Sequence, residues 1–188
     1  AQHLESGCNI IEAVNYYLLG AQTLYDRYSL QESGQIIEHV RTLLPEKDEN
    51  VNTPYTTLSK IHLLRAQLMR SFGKYDDASR ELDLAENIIP EKPGENYSHE
   101  EWMTQKFKML KLQGLLAELQ GRFEESLEKY ENAIELIGMA FKHRWEKNNS
   151  DAKKDDNPYR PKEIEKIKKE FASDPDRAKK KYPDLFYY

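Results

Sequence analysis

In the stretch YDDASRELDLAENII (75–89), small and apolar residues fall at Ala78, Leu82, Ala85, Ile88 and Ile89. Steps of three and four place them on one face of a helix. Just upstream, Ile61, Leu64, Leu68 and Phe72 form a second stripe with the same period. Gly73 separates the two, where a helix stops and the chain turns. Pro90 ends the second helix because it has no backbone N–H to offer. The phrase returns 48 residues later as GRFEESLEKYENAIELIG (121–138), with Gly121 at the turn and Gly114, Ser126, Tyr130 and Ala133 in the matching places. A weaker copy lies 45 residues earlier, with Ala21, Ser33, Ile37, Val40 and Pro45 in the same register. There "YSLQES" stands where the turn glycine is expected.

These patterns predict three antiparallel helix pairs whose first helices run near 10–28, 54–72 and 99–119. Their starts carry local signals. Thr53-Pro54 reads as an N-cap followed by Pro at the first helical position. Ser98 with Glu101 reads as a capping box, and Asn9 with Glu12 as an Asn variant of one. The last helix of the array is expected to run on through Ile137, Phe141 and Trp145 as a terminal cap. The organisation that follows is a helical array over 1–145, a polar linker of disordered type over 146–160, and a charged helical extension over 161–188. In the extension, Ile164, Ile167 and Phe171 share one side, Asp174-Pro175 starts a shorter helix, and "YPDLFYY" closes the chain on aromatic residues.

Composition agrees with an all-α chain. Hydrophobic residues make up 38% and charged residues 32%, against roughly 45–50% and 25% in average globular chains. That suits an elongated helical stack with a thin core. The net charge of −5 conceals a division. Residues 1–141 hold 14 Lys+Arg and 23 Asp+Glu, a balance of −9, while residues 142–181 hold 14 and 9, a balance of +5. The signs in the basic segment are interleaved (KKDD, KEIEKIKKE), as on a solvated helix face. Cys8 is the only cysteine, so the chain has no disulfide framework and no CxxC pair. No apolar run approaches the ~18 residues of a membrane span. The expected location is the cytoplasm.

The spacing of small residues, turn glycines and Pro90 resembles the tetratricopeptide repeat, a helix–turn–helix unit of about 34 residues. The units here recur at longer intervals, and the extra length precedes each first helix. The resemblance covers about residues 9–140. It implies a right-handed helical-repeat solenoid whose first helices line a concave groove. The residues that would face that groove are Asn15, Leu18, Gln22 and Tyr25; then Lys60, Leu63, Gln67 and Arg70; then Lys108, Lys111, Leu115 and Glu118. This mixture suits an acidic peptide or partner helix with a few apolar anchors. The plainer reading makes them soluble surface. Relatives that grip the C-terminal carboxylate of chaperones use lysines and asparagines where this chain has Leu18, Gln22, Leu64, Lys108 and Leu112. Only Lys108 fits, so that partner is disfavoured.

No catalytic constellation is legible. The five histidines form no HxxxH or HExxH pair, and His62 falls at a packing position of the repeat. GxGxxG, GxxxxGK[ST] and GxSxG are absent from the sequence. The paired carboxylates Asp76-Asp77 and Glu124-Glu125 fall in first turns of second helices, where the helix dipole favours negative charge. The expectation is therefore a scaffold or adaptor protein without enzymatic activity, cofactor or metal. The alternative is RNA binding by the groove cations, Arg144 and the lysines of 162–181, with Tyr25 or Trp145 stacking on bases. Expanded, insertion-bearing repeats of this kind also resemble those of the interferon-induced antiviral repeat proteins, whose superhelix encloses RNA ends. The acidic body and the small number of repeats weigh against it.

Overall fold

A computed structural model describes residues 10–44, 54–94, 97–148 and 161–174, together with 177, 180 and 181. Every regular element among them is helical: α1 (Ile10–Asp26), α2 (Leu30–Leu43), α3 (Tyr55–Ser71), α4 (Tyr75–Ile88), α5 (His99–Leu119), α6 (Phe123–Asn148) and α7 (Pro161–Ser173). None of these helices is long and apolar enough to cross a membrane. Contacts divide the chain into two compact units, 1–105 and 106–188.

In the first unit α1 pairs with α2 and α3 with α4, while α3 also touches both helices of the first pair. Val14, Leu18, Ala21, Ile37, Val40, Ile61, Leu64 and Leu68 meet in one core cluster. The small residues singled out in the pattern allow these approaches. Ala21, Ser33, Ala66, Ala78 and Ala85 are all buried. Ser33 needs a partner there, and its hydroxyl donates to the Ala21 carbonyl at 2.8 Å. In the second unit Ser126 and Ala133 are buried likewise. At Gly114 a Cβ would lie only 3.0 Å from the Tyr130 ring, so glycine sets that approach.

The three turns repeat one hydrogen-bond scheme. Gly73 and Gly121 have φ of 73° and 75°, and Tyr28 holds the same left-handed conformation at φ 62°. Each of these residues donates to a carbonyl three residues back: Tyr28 to Tyr25, Gly73 to Arg70 and Gly121 to Glu118. The residue after each donates five back: Ser29 to Leu24, Lys74 to Met69 and Arg122 to Ala117. The turns thus recur at the 45- and 48-residue intervals of the sequence.

The helix starts differ in detail from expectation. Ser98 does cap α5, accepting from the Glu101 amide at 3.2 Å and donating to the Glu101 carboxylate at 3.0 Å. Helix α3 begins at Tyr55 with Pro54 as its cap residue, one position later than expected. Thr53 and Asn9 lie outside the described residues. Phe72, expected on the buried stripe of α3, ends that helix and is half exposed, because the turn carries it off the packed face. Helix α6 runs on for 26 residues to Asn148, past the expected boundary at 145. The side chains of Phe141 and Trp145, and the tail from 182, are outside the described residues.

Helix α7 starts at Pro161 as expected and packs on α6. Phe171 is buried against Tyr130 and Ile134, with Ile167, Leu115 and Leu127 around them. The Phe171 and Tyr130 rings meet edge to face at 5.2 Å, the favourable geometry for aromatic quadrupoles. An ion pair joins Lys168 to Glu135 beside them. Beyond α7, the Arg177 amide donates to the Asp174 carboxylate at 2.9 Å, a capping contact at the place where a second short helix was expected.

Candidate interaction surface

The residues expected to line a groove do not share one environment. On α1, Asn15 is exposed and accepts a long contact of 3.5 Å from the Thr57 hydroxyl. Leu18 is only 6% exposed and belongs to the core cluster. Leu63 on α3 is 4% exposed. Both leucines, expected to face a groove, are therefore covered within the chain by tertiary packing. The surface that remains on the first unit is polar: Asn15, Gln22, Tyr25, Lys60, Gln67 and Arg70.

The polar members are organised one by one. Gln22 donates to Asp26 at 2.8 Å along its own helix. Lys60, exposed, lies 3.5 Å from Glu101. Tyr25 packs its ring against the core cluster and points its hydroxyl outward to α3. That oxygen accepts from Arg70 Nη2 at 3.1 Å and shares a hydrogen bond with Ser71 Oγ, also at 3.1 Å. Gln67 is half-buried one turn before Arg70.

In the second unit Lys108 is exposed and Lys111 half-buried. Leu115 packs beside the Tyr130–Ile134–Phe171 cluster. Glu118 accepts from the Tyr130 hydroxyl at 3.1 Å.

The first unit also holds two buried polar clusters that the sequence pattern did not predict. Glu81 of α4, 8% exposed, accepts from Arg65 at 2.9 Å and meets His62 Nδ1 at 2.8 Å, both on α3. His62 is thus a packing residue with a polar partner, consistent with the structural role expected of it. The second cluster centres on Ser59, which contacts Gln105 Oε1, the Thr56 carbonyl at 3.1 Å and the Tyr97 hydroxyl at 3.0 Å. Gln105 also donates to the Thr56 carbonyl at 3.2 Å. Burial pushes the Tyr97 phenol above its ordinary value, the Ser59 hydrogen bond opposes that, and the Glu101 charge adds to it. A signal for both clusters was present. Glu81 lies three residues from Ala78 and four from Ala85, on the apolar face, and Gln105 interrupts the stripe Trp102, Met109, Leu112, Leu116. A charged or amide group on an apolar stripe implies a buried partner.

Comparison with known protein families, with characterised proteins and with solved structures finds no match for this chain.

Proposed function

We propose that the chain is a non-catalytic protein-interaction module, a tetratricopeptide-like right-handed stack whose first helices present a groove to a peptide or partner helix. The observation that supports this reading most is the identical turn at Tyr28, Gly73 and Gly121, each closing a helix pair in one register. In a stack of such hairpins, equivalent faces of the first helices would lie side by side. In the first unit the residues left at the surface are polar, and Arg70 has no carboxylate partner among the described residues, so an acidic group on the partner is favoured. With Leu18 and Leu63 buried, the groove would grip by hydrogen bonds and charge more than by apolar anchors.

The test is affinity capture from nuclease-treated native lysate, comparing the full chain with a Lys60→Glu, Lys108→Glu variant. Both lysines are exposed, so the variant is expected to fold. A protein recovered by the first and lost by the second is the expected result. A partner retained equally by both would remove the groove from consideration. Recovery that vanishes with nuclease would instead favour the RNA reading.

A further inference from the structure

Helix α3 carries two half-buried arginines, and the fold treats them differently. Arg65 is matched by the Glu81 carboxylate at 2.9 Å. Arg70 receives no carboxylate among the described residues; its hydrogen bond goes to a neutral phenol, Tyr25, at 3.1 Å. The Nε of both arginines is buried without an acceptor, so the difference between them lies in the carboxylate that Arg65 has and Arg70 lacks. Leaving a guanidinium partly desolvated and uncompensated is unfavourable. Yet its orientation is fixed from across the helix pair. The Tyr25 ring is anchored on the core cluster, its hydroxyl takes Arg70 Nη2, and Ser71 holds that hydroxyl in turn. The half-buried amide of Gln67 lies on the same face one turn earlier, and no described residue bonds it.

From this arrangement we infer that Arg70, positioned by Tyr25 and Ser71, is a receptor for a carboxylate of the bound peptide, with Gln67 beside it as an amide partner. The inference rests on the interaction-module reading and specifies what one point of that surface recognises. With Nε buried, the terminal Nη1 and Nη2 groups offer the pair of N–H donors that matches a carboxylate, and less entropy is lost when such a fork is already oriented. Arg70 is the recognition residue. Tyr25 and Ser71 are positioning residues, acting on the ligand through it.

The experiment is a binding screen of the full chain against synthetic peptides made in matched Glu and Gln versions, each with free and amidated C-termini. Wild type, Arg70→Gln, Arg70→Lys, Tyr25→Phe and the Lys60→Glu, Lys108→Glu variant are compared, each checked for native helicity. Wild type is expected to prefer carboxylate-bearing members by about tenfold or more. Arg70→Gln abolishes that preference, while Arg70→Lys and Tyr25→Phe reduce it several-fold with the charge retained or untouched. A merely structural Tyr25 would change stability and leave the Glu-to-Gln ratio as it was. Loss with the amidated peptides alone assigns the carboxylate to a C-terminus; loss with the Gln versions alone assigns it to a side chain. Peptides held equally by wild type and Arg70→Gln, yet lost by the lysine variant, would overturn the arginine inference and leave the groove standing. Tighter binding of a single-stranded oligouridylate than of any acidic peptide would overturn the inference too.

Discussion

Tyr28 holds a backbone conformation that its two counterparts hold as glycine. Its φ of 62° places a Cβ where L-residues are crowded by the following carbonyl, at a cost of about 1–2 kcal/mol. The ring recovers little of that, being 88% exposed. Tyr28→Gly should therefore stabilise the first unit by about 1 kcal/mol after glycine's greater unfolded-state entropy is counted. A urea midpoint that falls would contradict this account of the turn. The missing glycine is visible in the sequence, but a turn of another type and the same turn under strain look alike there. The Tyr97 phenol makes a second residue-scale prediction. Its value is raised in the folded chain, chiefly by burial. Below about pH 10 the phenol is neutral in both states and stability is unaffected. As pH climbs past that point, the unfolded chain loses the proton first, so the folded state weakens until the folded phenol ionises too. Tyr97→Phe should remove this alkaline component. Denaturant midpoints of the two proteins, compared on either side of pH 10, should then diverge less at the higher pH; parallel curves would sink the idea.

Helix existence was legible because each element carries its own period and its own stop. The stripes at 61–68 and 78–89, Gly73, Pro90 and the Ser98 cap are local signals, and the helices fall within a residue or two of them. Phe72 was misplaced for a physical reason: periodicity continues on paper after the backbone has turned. Pairing was legible through the small residues, since Ala66, Ala78 and Ala85 have no other reason to share a register. The seating of α7 on α6 was not. A stripe of Ile164, Ile167 and Phe171 shows that a face needs cover without showing which helix provides it. The buried Phe171, edge-on to Tyr130, is the keystone of that contact. Phe171→Ala should cost about 3 kcal/mol and should act on α7 before α6. Hydrogen exchange resolved by segment is the suitable readout, with protection lost across α7 and retained at the Gly121 turn. Unchanged α7 protection would mean that the Lys168–Glu135 ion pair and Ile167 hold the helix without the ring.

For the molecule as a whole, the candidate site was the least legible part. Ser71 comes to Tyr25 across 46 positions, and no local pattern marks a contact at that distance. The burial of Leu18 and Leu63 likewise depends on neighbours brought in by tertiary packing. What the sequence does carry at this scale is charge, −9 over 1–141 against +5 over 142–181. Several cations of the acidic body face carboxylates of the chain: Lys60 with Glu101, Arg65 with Glu81, Arg80 with Asp77, Arg122 with Glu125. In the basic segment Lys168 and Lys181 do so too, with Glu135 and Glu170, but Lys166, Lys169 and Lys180 are exposed and the net charge stays positive. A nucleic-acid backbone approaching the acidic body would meet net negative charge and cations already matched. Exposed pairs of this kind add at most about 1 kcal/mol to stability, but they remove free positive charge from the field that a polyanion senses. Any oligonucleotide binding should therefore reside in the C-terminal segment. It should drop steeply between ~50 and ~200 mM salt, as counterion release requires, and vanish when residues 149–188 are removed. Capture of an acidic peptide through Arg70 should survive both treatments better, since one oriented, half-buried contact is screened less than a diffuse one. Fluorescence anisotropy with a labelled oligouridylate and a labelled acidic peptide, on full-length and shortened chains, separates the two. RNA affinity that outlasts the truncation would place the phosphate contacts on the helix pairs and reverse the order of the two functional readings.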